Sequence, residues 1–573
     1  VNFLTDQALR ATRPVDLSAI SKQYLRDKII SGYVQDDWRM LPNLTLNLGL
    51  RYEFATIPTE KNGAIAIMPS PTTPLPCQPA PTAADPSCSA VNPVSVLRHS
   101  FWTHNPTTKN FEPRVGFAWD PFHDSKTAVR GGFGIFDALP LPYELILNST
   151  SQAPYRPTYA SLGDNAGGLY ASPPPGAWPF GVPALTNIHV NNPLPRSWRY
   201  LDTNIKRNYV YQYNFNIQRQ LTANTTLLIG YSGSRGVHNP FQSDTVNTVI
   251  PTKVPGIGYV WPTPYSGSLT ASAQAARLLN PTTSNIMYNT MWQARSWYNA
   301  MLVRVDKRFS RGFQLLGSFT WSKAMDDSSG STAGDTFQLD AVSEPWYDMS
   351  LNKGLSDFDV RRNLVVSGFW NVPTPKMLGA FGEKALGGWQ LGIITTLADG
   401  IPVPISIASD LAGEVIPTVQ PPNTVPGCTA SSMINSNFRH SLFLFNPGCF
   451  SLVPRTAANA AYCDSAGRGF NPALAASTCA NIRGNLGRDV LIGPGLFNAN
   501  FSIFKNNYVK RISEVFNIQF RAELFNVLNH TNFAPSANVS PFNADGTPTS
   551  SFGQLTSTQT DNRVIQLALK VIW

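Results

Sequence analysis

The sequence predicts an all-β fold, a transmembrane antiparallel β-barrel with long extracellular loops, and three observations predict it. Apolar and polar residues alternate with a period of two in many segments. Short turns alternate strictly with very long connections. The composition is that of strands and turns: of 573 residues, 14% are charged, 11% are aromatic, and 47 are Pro and 41 Gly, which suits turns and ordered loops better than helices. No run of eighteen apolar residues occurs, so helical membrane spans are excluded. Barrel strands are not, because they need only about 9–11 residues, half of them polar. The net charge of +9 comes from Lys and Arg that never form a run of five. A nucleic-acid partner is therefore not expected, and the basic surface reads as facing solvent or anionic lipid headgroups.

The elements follow in order. The opening "VNFLTDQALR" has no charged n-region and no apolar h-region, so it reads as a cut, with residues 1–27 a partial strand or loop. From residue 28 the pattern is strand, short turn, strand, long loop. In "NLTLNLGLRYEF", Leu44, Leu46, Leu48, Leu50, Tyr52 and Phe54 share one face, and Thr45, Asn47, Gly49, Arg51 and Glu53 the other. A face holding Arg and Glu suits a water-filled lumen, with the apolar face turned to lipid. The same period returns in "TAVRGGFGIF", "NYVYQYNFNIQRQL", "EVFNIQFRAELF" and the closing "RVIQLALKVIW". Trp38, Tyr52, Trp119, Tyr231, Trp321, Trp370 and Trp389 fall near strand ends, where interfacial girdles belong.

Short links are expected at 41–43, 123–126, 222–224, 310–312, 373–387 and 507–512, and long loops near 55–109, 138–204, 237–295, 327–356, 408–494 and 529–561. If the short turns are periplasmic, the strand at about 28–40 runs downward and the roughly thirteenth, at 562–573, also runs downward. Single-chain bacterial barrels have even strand numbers. At least one upward strand is therefore expected before Val1, and the chain reads as the C-terminal part of a larger barrel.

Chemistry is sparse. Cys77 and Cys88 lie in one long loop, and Cys428, Cys449, Cys463 and Cys479 in another. An even count in an oxidising compartment suggests loop disulfides, with Cys77 to Cys88 the first choice; sequence neighbours are preferred for the other four, whose pairing stays open. The seven histidines are isolated, and no metal motif is recognisable. Asp326 and Asp327 in "SKAMDDSSGS" do not match a calcium loop and read as a solvated tip. "GNLGRDVLIGPG" lacks the end of a phosphate loop and reads as a segment that re-enters the barrel rim. No nucleophile-and-base arrangement or cofactor site is found; an enzyme is not expected.

The segments "SGYVQDDWRMLPNLTLNLGLRYEF", "FEPRVGFAWDPFHDSKTAVRGGFGIF", "YNAMLVRVDKRFSRGFQLLGSFTWSKAMDD", "GRDVLIGPGLFNANFSIFKN", "FNIQFRAELFNVLNHTNF" and "RVIQLALKVIW", in that order, resemble the C-terminal barrel of TonB-dependent outer-membrane receptors, in particular the Oar-like branch. The resemblance covers residues 28–573. It implies a bacterial outer-membrane location, a 22-stranded barrel, an N-terminal plug and regulatory-like domain not seen in this sequence, and energised uptake of an unidentified small molecule, glycan or peptide. TonB would act through the plug. Arg51, Glu53, Arg130, Arg304, Asp306, Arg521 and Glu523 are the candidates for lining the lumen. Their first expected role is ion pairing across neighbouring strands or plug docking, ahead of ligand contact. Ile565, Leu567, Leu569, Val571 and Trp573 resemble the terminal signal read by barrel-assembly machinery. Two other readings compete: a structural or adhesion barrel that does not transport, and a secreted soluble glycan-binding β-protein.

Overall fold

The computed structural model describes residues 12–14, 24–67, 96–139, 145, 158–160, 198–243, 248–262, 287–330, 345–373, 382, 385–407, 411, 420–464, 471–509 and 511–573. Thirteen long strands form one antiparallel sheet in which each pairs with the next in sequence. They are β1 (Ile29–Leu41), β2 (Leu44–Ala55), β3 (Phe111–Trp119), β4 (Thr127–Asp137), β5 (Tyr209–Thr222), β6 (Thr225–Ser243), β7 (Met287–Ser310), β8 (Phe313–Asp326), β9 (Arg362–Asn371), β10 (Trp389–Ala398), β11 (Leu496–Tyr508), β12 (Asn517–Phe525) and β13 (Val564–Ile572). Such a meander needs only local connections, and the alternating pattern fixes its register, because a one-residue slip would turn every side chain to the wrong face.

The turns have local causes. Arg311 and Gly312 both take positive φ, 52° and 84°, the backbone of a two-residue hairpin whose twist matches the strands it joins; Ser310 and Phe313 pair across it. In the β3–β4 turn, the Asp120 carboxylate accepts from the Phe122 and Ser125 amides. That satisfies backbone donors which no strand pairs.

Large apolar side chains are exposed along one whole face of the sheet. Ile565, Leu567 and Leu569 are 60%, 66% and 70% exposed, and Val34, Val115, Phe133, Ile229 and Ile393 are exposed on other strands. Such a face is stable against hydrocarbon, not water. No helix among the described residues is long and apolar enough to cross a membrane. Among those residues β1 pairs only with β2, and β13 only with β12.

The buried cores lie in the loops at the long-loop end. Val403, Phe445, Phe450, Leu491, Phe552 and Leu555 belong to one cluster, built from the β10–β11 and β12–β13 loops. Ile65, Phe101, Trp102, Leu201, Ile205 and Trp292 belong to a second. The described parts of the long connections thus form a folded cap at this end of the sheet.

One expected loop is shorter than the alternation suggested. The 237–295 connection is strand as far as Ser243 and again from Met287. Pairing continues past a bulge at Val237–Pro240, because Phe241, Met291, Trp292 and Ala294 are buried under the cap and side-chain burial extends the ladder beyond the membrane pattern. Trp198–Leu201 adds a parallel partner to Met287–Thr290, a pairing no local sequence signal announces.

Candidate functional site

The site is the polar face of the wall with the cap above it. Residues directly opposite each other in a ladder share a face, so the register can be followed strand by strand from Arg51. Arg51 lies opposite Glu112, and its neighbour Asn47 opposite Gly116. Gly116 faces Gly132, and Ala118 faces Arg130. Arg130 faces Asn216, Gln218 faces Leu228, and Leu228 faces Arg304. Beyond it, Ser318 faces Val365, Val365 faces Thr396, and Thr396 faces Asn498. The trace ends with Ser502 opposite Glu523, Phe504 opposite Arg521, and Glu523 opposite Gln566. All seven charged residues expected in the lumen therefore lie on one face.

Their pairing differs from expectation. Arg51 Nη2 meets Glu53 Oε1 at 2.8 Å, and Arg304 Nη2 meets Asp306 Oδ2 at 3.5 Å. These pairs lie along one strand, because residues two apart are same-face neighbours about 7 Å apart and an Arg reaches that far. Arg521 donates to Gln519 and lies over the Phe504 ring, 5.2 Å from its centroid. The stronger pair was not foreseen: Arg207, in the loop before β5, grips Asp137 at the top of β4 with two bonds of 2.6 and 2.8 Å.

Next to Arg51 the same face sinks into a depression of about 320 Å³. Gly49, Gly116, Gly132 and Gly134 floor it, and Arg114, Gln35, Asn47, Gln212 and Asn214 rim it. Arg114 is held by Glu112 at 2.7 Å. Amide and guanidinium groups thus rim a floor of glycine backbone and the Phe136 ring, whose centre lies 4.5 Å from the Arg114 guanidinium. This cradle depends on the register of several strands, so no single segment of sequence discloses it.

Asp326 and Asp327 are 2% and 0% exposed, which overturns the solvated tip. Arg295 Nε holds Asp327 at 2.8 Å. Arg488, from the glycine-rich segment, supplies what Asp326 needs: Nη1 donates to Asp326 Oδ1 at 2.8 Å and to the Asn352 carbonyl at 3.0 Å. Nη2 donates to Ser329 Oγ at 2.7 Å and to Asp357 Oδ1 at 3.1 Å, while Nε lies 3.0 Å from Asp489 Oδ2. Burial above all, with Asp357 and Asp326 nearby, pushes the Asp489 carboxyl up to about 8 against the pull of Arg488. A Cβ on Gly354 would come within 2.6 Å of the Arg488 carbonyl, so this approach requires glycine. The node joins the top of β8 to the 345–361 and 399–495 loops. A buried cation shared by several carboxylates fixes geometry more than it adds stability.

Disulfides join Cys428 to Cys449 and Cys463 to Cys479; Cys77 and Cys88 lie outside the described residues. Between the second disulfide and the Thr252–Val260 hairpin lies a cavity of about 530 Å³, lined by Trp261, Pro262, Tyr462, Asp464 and Asn481 among others. Neither this cavity nor the cap cores were legible in sequence, because each joins segments far apart in the chain. Ile565, Leu567, Leu569 and Val571 line the outer face of β13, and Trp573 is 87% exposed beyond its end.

A family model described as "Outer membrane beta barrel domain" matches residues 2–566. No curated protein matches the chain. Among solved structures, it is similar to the outer membrane transporter YddB from Escherichia coli at 9% identity and TM-score 0.42, over 95% of this chain and 45% of that one. It is similar to the ferric-catecholate import receptor Fiu from E. coli K12 at 8% and 0.37, over 95% and 44%. It is similar to the pyoverdine outer membrane receptor FpvA from Pseudomonas aeruginosa PAO1 at 8% and 0.39, over 96% and 43%. The chain spans less than half the length of these structures, and likenesses of this degree assign it no ligand.

Proposed function

This chain belongs to the outer membrane beta barrel domain family, and from that premise we propose that it supplies wall and outer loops to a TonB-dependent transporter that takes up a ligand across the bacterial outer membrane. The observation that carries this reading is the face that bears all seven charged residues, traced from Arg51 to Glu523 across the sheet with only scattered apolar side chains such as Leu228 and Val365, and backed by the apolar outer face. A lumen that passes a polar ligand needs such a polar inner face behind the apolar outer one. The cradle beside Arg51 and the cap cavity beside Tyr462 are where a ligand would rest on its way inward.

Among the described residues β1 and β13 each keep an unpaired edge, and such an edge cannot stand in lipid, where each orphaned backbone group costs several kcal/mol. In our reading, further strands close the barrel between β13 and β1, and a plug carries the contact with TonB. The rigid, disulfide-tied cap favours a second reading, an adhesion barrel that binds a surface partner without transport. Uptake separates the two. Cells with the gene intact or deleted, each with and without TonB, are supplied with a mixture of small polar compounds, and what they retain is identified by mass spectrometry. The transport reading expects at least one compound to accumulate only when both proteins are present. Accumulation independent of either one would sink it.

A further inference from the structure

We propose that the outer face of β6–β8 carries a binding site for the phosphorylated headgroup of an outer-leaflet lipid. The register arranges that face in rows. Tyr231, Met301 and Trp321 lie level with one another; one step nearer the cap come Gly233, Asn299 and Lys323, and then Arg235, Trp297 and Met325. Below these rows the same face is apolar, with Ile229, Val303 and Phe319.

Depth follows from strand geometry. From Phe313 to Trp321 the outward residues of β8 span eight steps, roughly 27 Å of strand and roughly 21 Å of height at a tilt of about 40°. That is close to the apolar band of about 25 Å that barrels present to lipid. Trp321 thus marks its upper border, and Lys323 and Arg235 stand just above it, where phosphates lie.

Two cations there are held against one ring. Lys353 Nζ and Arg295 Cζ sit 4.8 and 5.4 Å from the centre of the Trp297 ring, an arrangement that orients ammonium and guanidinium groups at little entropic cost. Arg295 also bonds the buried Asp327. Arg235, Lys323 and Lys353 are exposed and make no ion pair among the described residues. Tyr213 and Tyr231 both donate to Asn299 Oδ1, at 3.0 and 2.6 Å, forming a rigid aromatic shelf beneath them. Unpaired positive charge over an aromatic shelf, at headgroup depth and facing out of the barrel, is complementary to a lipid phosphate. The acyl chains would lie along Ile229, Val303 and Phe319.

The test uses protein extracted from outer membranes in detergent and exchanged against diphosphoryl lipid A or its dephosphorylated form, with retained lipid counted by native mass spectrometry. Wild-type protein is expected to keep the phosphorylated lipid, more weakly as salt rises. Arg235→Gln/Lys323→Gln/Lys353→Gln is expected to bind it at least about tenfold more weakly. Lys126→Gln/Arg308→Gln/Arg311→Gln, at the short-turn end, is expected to match wild type. Heat-modifiable gel mobility checks that each variant is folded, and Lys323→Gln and Lys353→Gln alone, each expected to weaken binding, replace the triple variant if it fails to assemble. Equal lipid binding by the cap-end variants, equal binding of dephosphorylated lipid, or full displacement by millimolar inorganic phosphate would overturn the proposal.

Discussion

Asp489 makes the cap sensitive to pH. Its carboxyl, usually near 3.8, stands at about 8 in the folded protein because burial penalises the charged form. The folded state therefore holds this proton more tightly than the unfolded one. The stability it contributes is complete below about pH 4 and is lost as pH rises toward 8. Melting temperatures in detergent between pH 5 and pH 9 should fall for the wild type, and Asp489→Asn should remove much of that slope. Arg488→Ala strips the shared cation from Asp326, Asp357 and Asp489 and should cost about 3–5 kcal/mol. Faster proteolysis of the 399–495 loop would report it, and an unchanged cleavage rate would refute it. None of this was visible in "SKAMDDSSGS", because the partner of Asp326 lies 162 residues away.

At the scale of the element, the sequence read well wherever one face meets lipid and the other water. Both sides of "NLTLNLGLRYEF" and the direction of "RVIQLALKVIW" follow from a period of two alone. It read poorly where strands leave the membrane. The ends of β6 and β7 are covered by the cap on sides the alternation had no means to encode, so pattern and pairing part at Val237. The lipid face gives a sharp prediction. Leu567→Arg, near the middle of β13, should destabilise the barrel by about 2–4 kcal/mol, while Ala568→Ser, on the opposite face, should be nearly neutral. Urea unfolding in lipid vesicles would distinguish them, and equal effects would contradict the assignment of faces.

For the molecule as a whole, wall and cap rest on different physics. Backbone pairing within lipid holds the wall; buried aromatic and aliphatic side chains, with two disulfides, hold the cap. They should melt separately, the cap first. Cys428→Ala with Cys449→Ala, which opens a crosslink spanning 21 residues, should weaken the cap by about 3 kcal/mol and leave heat-modifiable gel mobility unchanged. A single shared transition in calorimetry would argue against this division.

The stacking of Phe445 on Phe552, centroids 5.1 Å apart, bears on the order of assembly. The two rings stand on the order of a hundred residues apart in the chain, on loops whose ends are held by β10, β11, β12 and β13. Contacts so distant become affordable only after the intervening chain has been gathered in, and only the pairing of those four strands gathers it. Assembly therefore runs from the membrane outward, and the surface that first meets the environment is the last to take shape.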